Sequence, residues 1–204
     1  MSCSTLALCG LLGLGLEVTL PATSQAQGFR TSEQFGTLSY GPSHTSINPP
    51  EFVWRDETFP EGLVLPRRES GGSIELSGGA MVTNRLAIMG GFDLHTGSKE
   101  IRLANFQFHG GLRNWLTKKL WVEGGLGPTY LDVFEDEGEQ QRDSGKWGLG
   151  LIGVVGYDLL QRRNASFMSG QHFAAHVQVR MSTNAAGGVR TNTLGLLLGF
   201  AMGR

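Results

Sequence analysis

Cysteine is almost absent from this sequence. Only Cys3 and Cys9 occur, and no cysteine follows the ninth residue. The main part of the chain therefore has no disulfide bond, no thiol nucleophile and no metal site built from cysteine.

The sequence also lacks an excess of charge of either sign. It carries 17 Lys and Arg residues against 18 Asp and Glu residues, with a formal net charge of −1. Without a basic surface, a nucleic-acid partner is not expected. Its 204 residues correspond to one domain, and its 31 glycines are more than ordinary usage, without the period of collagen.

Long hydrophobic runs are missing as well. The apolar run at residues 6–16 is too short to cross a bilayer as a helix. It precedes "ATSQAQG", where Ser24 and Ala26 occupy the small positions that a signal peptidase requires. We therefore expect residues 1–26 to be a signal peptide that is cleaved after Ala26.

Residues 27–66 differ in composition from the C-terminal two thirds of the chain. They are polar, interrupted by Pro and Gly, and without sustained periodicity, which predicts an extended arm that includes at most a degenerate first strand. Residues 67–204 are expected to form the folded domain.

From residue 72 onward the chain consists of alternating stretches of about ten residues, the period of β-strands. Residues 103–113, "LANFQFHGGLR", illustrate the pattern. One side of this stretch carries Ala104, Phe106, Phe108 and Leu112, and the other carries Asn105, Gln107, His109 and Arg113. Seven stretches share this pattern, each with one apolar face and one face of glycine, small or charged residues.

The polar face, with its charges set among glycines, is the one suited to a narrow interior. A soluble lipocalin-like barrel would have the opposite arrangement, with polar residues outside and an apolar interior. An apolar exterior around a polar interior is typical of transmembrane β-barrels, which must close because lipid cannot satisfy a free sheet edge. The fold class predicted is all-β: a closed antiparallel up-and-down transmembrane barrel in a bacterial outer membrane.

The connections fix the strand count and the orientation. If the short turn "TNR" is periplasmic, residues 72–81 descend and an ascending strand must precede them. We expect that strand at about residues 52–68, which completes an even number of eight. Aromatic residues would then form girdles at the two interfaces, with Tyr130, Phe134 and Trp147 above and Trp115, Trp121 and Tyr157 below.

The inward face supplies charges of both signs. An eight-stranded barrel has an interior just wide enough to be filled by side chains, and buried charges there must be paired. We therefore expect a structural charge network inside the lumen. Its members are Glu75, Asp93, His109, Arg113, Glu123, Asp158, His176 and Arg180.

Residues 72–202 resemble the small eight-stranded outer-membrane barrels of Gram-negative bacteria, the OmpA/OmpX-like type of the porin superfamily. The phrases "RNWLTKKLWVEGGLG" and "GYDLLQRRN" carry this resemblance. The last strand resembles the signal read by the outer-membrane assembly machinery, here Thr193, Gly195, Leu198 and Phe200. The resemblance implies architecture and an outer-membrane location but identifies no activity. We expect a monomer whose partners are outer-membrane lipid, lipopolysaccharide and that machinery, in a structural or surface-interaction role.

Alternative functions remain. Eight-stranded lipid A deacylases use a His-x-Ser-Asn-Ala motif, which "RMSTNAAGG" matches poorly, with Met181 and Thr183 at the key positions. A narrow passive pore is a second alternative. We expect no enzyme activity, no cofactor and no metal: the histidines at 95, 109, 172 and 176 lack ligand spacing, and the loop "EDEGEQQRD" lacks that of a calcium site.

Overall fold

The computed structural model describes residues 34–97, 101–137, 140–163 and 172–203. Its strands, in chain order, are β1 (Gln34–Asn48), β2 (Val53–Trp54), β3 (Leu63–Val64), β4 (Arg68–Met81), β5 (Leu86–Gly97), β6 (Ile101–Trp115), β7 (Leu120–Glu137), β8 (Gln140–Arg163), β9 (His172–Ala186) and β10 (Val189–Gly203). None of the described residues forms a helix long and apolar enough to cross a membrane.

Eight of these strands form one closed barrel, in the circular order β1-β10-β9-β8-β7-β6-β5-β4. All neighbouring pairs are antiparallel, and closure is made by β1, which pairs with both β10 and β4. From β4 to β10, each strand pairs with the next strand in sequence. The predicted up-and-down barrel of eight strands is confirmed.

The polarity of the barrel is inverted relative to a soluble protein. In β10, Leu196 is 53% exposed on the outer face, whereas the adjacent Leu197 is fully buried inside. The outer face of the other strands is likewise made of exposed Leu, Val, Ile, Phe and Tyr, while the buried set includes many polar and charged side chains. Such a surface is stable only in lipid.

The start of β1 and the end of β10 lie at the same end of the barrel as the turns 82–85 and 116–119. Outer-membrane barrels place their longer connections outside the cell. Because the longest described connection, 49–67, lies at the opposite end, we assign the end with the turns 82–85 and 116–119 to the periplasm. The segment 49–67, which carries the small β2–β3 hairpin, lies at the opposite, extracellular end.

The position of the first strand differs from the expected 52–68. It is β1, and its inward side carries small polar residues such as Thr37 and Ser43, while Leu38 and Tyr40 face outward. The alternation in β1 is hard to read because its central outward residue is Pro42 and the next outward residue is His44. The predicted cleavage site and residues 1–26 lie outside the described residues.

The lower aromatic girdle is also different from expectation. Tyr157 is exposed, but Trp115 and Trp121 point into the lumen and are almost completely buried. Trp115 follows Arg113 by two positions, and Trp121 precedes Glu123 by two. Both tryptophans therefore lie on the same inward face of their strands as these charged residues. A residue of an aromatic girdle must have its side chain on the outer face, so the prediction for these two tryptophans is wrong.

Glycines on the inner wall make space for the large side chains of the lumen. A Cβ atom on Gly91 would lie 2.5 Å from the His109 ring, and one on Gly156 would collide with the indole of Trp121. Gly199 similarly faces His176. The glycine-rich inner face therefore reflects packing against bulky inward residues.

Candidate functional site: a filled lumen

The centre of the lumen holds a chain of charged side chains. Arg180 Nη2 lies 2.7 Å from Asp93 Oδ2, and the same oxygen is 3.0 Å from His109 Nδ1. The other ring nitrogen of His109 is 3.4 Å from Glu123 Oε1, and Glu123 Oε2 is 2.7 Å from Arg113 Nη2. Two guanidinium groups thus neutralise two carboxylates, with His109 between the carboxylates. This pairing meets the requirement that buried charges be compensated.

Arg113 also has an aromatic environment. Its guanidinium carbon lies 3.9 Å from the centre of the Trp121 ring, 5.5 Å from Phe35 and 5.9 Å from Trp115. A guanidinium over a desolvated indole is stabilised by about 2 kcal/mol. Arg113 therefore links the charged centre of the lumen to an aromatic layer below it.

Three further predicted residues are also buried, and each contacts neutral groups. Glu75 accepts hydrogen bonds from Gln178, at 2.5 Å, and from Ser77, at 3.1 Å. Asp158 accepts from the indole of Trp121, at 3.1 Å, and from Gln161, at 2.8 Å, near the periplasmic end. His176 Nε2 lies 2.9 Å from Ser39 Oγ. The structure thus connects five of the eight residues in one chain and places the other three elsewhere on the same inner wall.

The periplasmic part of the lumen is apolar. Phe35, Trp115 and Trp121 lie at its centre, with Phe35 and Trp115 meeting edge to face at 5.7 Å between ring centres. The remaining members are Ala87, Met89, Ile152, Val154, Ala174 and Ala201. We call this cluster the floor.

The extracellular end is closed by a second apolar cluster. The segment 49–67, which we call the cap, places Trp54 and Phe59 in the mouth of the barrel, where both are fully buried. The other members of the cluster are Ile47, Leu63, Leu65, Leu103, Leu131, Val133, Ala186 and Val189. The lumen is therefore layered, with a floor, a charged centre and an apolar cap.

Asp56 fixes the cap to the barrel. Its Oδ1 accepts the backbone N–H groups of Thr58 and Phe59, and its Oδ2 accepts the indole N–H of Trp54 at 2.6 Å and the hydroxyl of Ser144 in β8. Burial alone would raise the pKa of Asp56, but these hydrogen bonds, led by that of Ser144, bring its pKa below the usual value of 3.8. The carboxylate form therefore stabilises the attachment of the cap.

The cap was not recognisable from periodicity. Its sequence, "EFVWRDETF", stands in the polar arm and carries three aromatic residues within eight positions. This local aromatic density and the turn chemistry of Asp56 are the signals from which a packed segment could have been predicted.

Two histidines of the lumen, His95 and His176, contact serine hydroxyls, but none of these contacts reaches the outer surface. Ser39 and His176 are fully buried, and so are Ser43 and His95, whose Oγ and Nδ1 lie 2.7 Å apart. In the segment that resembles the deacylase motif, Thr183 lies on the outer face of β9, where its hydroxyl donates a hydrogen bond to Asn192. His176 lies on the inner face of the same strand, so the two side chains cannot form a catalytic pair.

The histidines considered as metal ligands are dispersed. His95 contacts Ser43 and Ser73, His109 lies between two carboxylates, and His176 contacts Ser39. The side chain of His172 is outside the described set. Among the residues that are described, no group of three or more His, Cys, Asp or Glu side chains has the geometry of a metal site.

The residues of the predicted assembly signal follow the alternation of β10. Thr193 is buried on the inner face with Gly195, whereas Leu198 and Phe200 are 64% and 72% exposed on the outer face. The two apolar side chains are therefore presented to lipid near the periplasmic end.

Comparison with known proteins agrees on the architecture. No protein-family profile and no curated protein sequence matches the chain. Among solved structures, it is similar to Ail, the attachment invasion locus protein of Yersinia pestis, with 12% identity and a TM-score of 0.52 over 83% of this chain and 99% of Ail. It is also similar to Neisserial surface protein A, with 13% identity and a TM-score of 0.50 over 85% of this chain and 98% of that protein.

At this level of identity the similarity concerns the fold. The inverted polarity is a separate observation, and it requires a lipid environment for a closed barrel of this type. The chain is an integral outer-membrane β-barrel with the architecture of the small eight-stranded barrels.

Proposed function

We propose that the protein is a non-conducting outer-membrane barrel with a structural role, which presents its cap as a surface for interactions outside the cell. The observation that carries this proposal is the filling of the lumen at three levels. The floor and the cap cluster are apolar, and the charged chain lies between them.

Each level opposes the passage of ions for a different reason. In the centre, displacing one partner of the Arg113–Glu123 or Arg180–Asp93 pair would leave a buried charge uncompensated. At the floor and the cap cluster, an ion would have to enter a layer of aromatic and aliphatic side chains without ligands. These features support a closed barrel over the passive pore.

The arrangement of the Ser–His contacts supports a role other than catalysis. An enzyme acting on membrane lipid needs its nucleophile at the outer wall, within reach of the substrate. Ser39 and Ser43 are on the inner wall and are sealed from lipid by the barrel itself. We therefore favour a non-enzymatic role over a lipid A deacylase-like one.

The cap is the part best placed to meet an external partner. The outer side of its hairpin exposes Val53 and Val64, which are paired across the two strands. The charged residues Arg55, Glu57 and Glu61 flank them. This mixed surface is compatible with a protein partner, and we propose that the barrel itself is inserted as a monomer by the assembly machinery through the signal in β10.

Single-channel recording in planar bilayers tests the closed lumen. We expect the wild-type protein to give no discrete conductance steps after its insertion has been shown by resistance to unfolding in unboiled gel samples. A variant in which Gly-Gly replaces residues 50–65 serves as the comparison, and it should also be silent because the floor and the charged centre remain. Discrete steps from the folded wild-type protein would contradict the proposal and favour the pore.

A further inference from the structure

The hairpin of β7 and β8 extends beyond the neighbouring strand β9 at the extracellular end. The ladder between β7 and β8 continues to the pair Glu137–Gln140, whereas the ladder between β8 and β9 stops at the pair Gly148–Ala186, where β9 ends. Among the described residues, no strand therefore pairs with residues 140–147 on the side of β8 that faces away from β7. We call this side of residues 140–147 the open edge.

The open edge lies above the membrane interface. Its lowest residue, Trp147, is 66% exposed on the outer face and packs against Tyr130 at 5.1 Å between ring centres, as is typical of aromatic residues at the interface. The eight residues span about 27 Å. Alternate residues of an edge strand direct their backbone N–H and C=O groups away from the sheet, where another extended chain can bind them.

The cap supports the open edge from the lumen side. Ser144 donates a hydrogen bond to Asp56, and Lys146 Nζ lies 3.4 Å from the carbonyl oxygen of Arg55 and 4.5 Å from the ring centre of Trp54. These contacts are made by side chains, and within the described part of the chain no backbone hydrogen bond joins the cap to residues 140–147. The edge is therefore held in an extended conformation before any partner binds, which lowers the entropic cost of binding.

Charges of opposite sign lie at two levels of the open edge. Asp143 is exposed on the outer face of β8, four positions above Trp147. At the lower level, the exposed Arg190 and Trp147 line a surface cleft of 520 Å³, next to the point where β9 ends. A strand added antiparallel to β8 would place one outward side chain beside Arg190 and the outward side chain four positions later beside Asp143.

A strand from another protein fits this edge better than a segment of the same chain or a second copy. Residues 1–33 and 164–171 connect to strand ends on the periplasmic side, and residues 98–100 and 138–139 are too few to form a strand. A second copy in the same membrane has the same orientation, so two β8 edges would meet in parallel. Parallel pairing is less stable per residue than antiparallel pairing.

We propose that the open edge of β8 binds an extended segment of another protein outside the cell as an added antiparallel strand, with an acidic residue beside Arg190 and a basic residue four positions later beside Asp143. This inference deepens the surface-interaction role proposed above and rests on it. Backbone hydrogen bonds provide the affinity, and the two charges select the register and the direction. A slip of one residue would turn both charged side chains of the partner to the other face.

The probe for the backbone pairing is the blocked octapeptide ETVTKTVT, titrated against the folded wild-type barrel in detergent micelles and followed by NMR of the barrel amides. We expect shift changes concentrated at residues 140–147. Two further peptides carry N-methyl groups at the odd or at the even positions. Because only one of these sets faces β8, one methylated peptide should bind like the parent and the other at least tenfold more weakly.

Charge reversal tests the register. Asp143→Lys and Arg190→Glu should each weaken the binding of ETVTKTVT by about two- to fivefold, as for an exposed ion pair. The double variant should bind the swapped peptide KTVTETVT as the wild type binds the parent. Arg85→Glu, an exposed residue in a periplasmic turn, is the matched control for Arg190→Glu and should leave binding unchanged.

The proposal is overturned if the wild type binds no peptide at millimolar concentration, if the two methylated peptides bind equally, or if the swapped peptide fails to restore binding to the double variant. A dimer of the barrel without peptide, with shifted amides at residues 140–147, would assign the edge to a second copy and also overturn it. The conductance experiment stays independent: a silent barrel that binds no peptide contradicts only the strand partner, and a conducting barrel that binds it contradicts only the closed lumen.

Discussion

The guanidinium of Arg113 makes two kinds of contact at the boundary between the floor and the charged centre. Its nitrogens bind Glu123 at 2.7 and 2.8 Å, and its plane lies over the ring of Trp121. Because both groups are sealed from water, neither charge can be compensated by solvent if the other is removed. His109 also contacts Glu123, at 3.4 Å, and it keeps its contact with Asp93 when Glu123 is changed.

At the residue scale, we therefore predict that Arg113→Ala lowers the free energy of unfolding by about 3–5 kcal/mol, because the buried Glu123 loses its guanidinium partner and keeps only the longer contact with His109. The double variant Arg113→Leu with Glu123→Leu should recover much of this loss, since an apolar pair of similar volume removes the unpaired charge. Urea unfolding in lipid vesicles measures both. Strictly additive losses in the two single Leu variants and the double variant would show that the pair is not coupled.

At the scale of the strand, adjacent glycines in β5 have opposite surroundings. Gly91 faces inward, where a Cβ atom would press on the His109 ring, and that ring is held between Asp93 and Glu123. Gly90 faces outward, and a Cβ atom there would meet only the carbonyl oxygen of His109 at an ordinary 3.8 Å. The same residue type therefore has a packing role at one position and none at the next.

We predict that Gly91→Ala destabilises the barrel by about 1–3 kcal/mol, the usual cost of overpacking a filled interior. Gly90→Ala should be neutral or should stabilise by about 0.4–1 kcal/mol, because alanine restricts the unfolded chain. The two unfolding midpoints, measured in the same vesicles, give the comparison directly. If Gly91→Ala were as stable as Gly90→Ala, the inner wall near His109 would have to be looser than the structure shows.

The same strands show which features of the barrel can be predicted from the sequence and which cannot. Seven strands were predictable because strict alternation repeats, and the inward charged residues are identified by parity alone. The strand β1 was misplaced because Pro42 and His44 stand on its outer face, so its outward side does not look apolar. Parity also places Trp115 and Trp121 inside, but their aromatic character suggested a girdle position.

Contacts between segments that are far apart in the sequence cannot be predicted from local patterns. The cap lies in a region without strand periodicity, yet Trp54 and Phe59 are buried by residues of β1, β6, β7, β9 and β10. The pairing of Asp56 with Ser144 joins residues that are 88 positions apart. Which inward charges meet likewise depends on strand stagger, which brings Arg180 to Asp93 and leaves Glu75 with Gln178.

At the scale of the whole molecule, the central property is the inversion of polarity between the inside and the outside of the barrel. The charged centre and the glycine-lined inner wall both require that alternate residues of each strand face lipid and the lumen. The strand β10 offers the clearest case, because its burial alternates at every one of its 15 positions. Leu196 and Leu197 carry the same side chain on opposite faces.

The most direct measurement is a spin-label scan along β10 in lipid vesicles, with Cys3 and Cys9 replaced by serine and a single cysteine placed in turn at positions 194–201. We predict that oxygen, which concentrates in lipid, relaxes labels strongly at Leu194, Leu196, Leu198 and Phe200 and weakly at Gly195, Leu197, Gly199 and Ala201. Equal relaxation along the strand, or stronger relaxation of the outward labels by a water-soluble nickel complex than by oxygen, would contradict the inverted barrel.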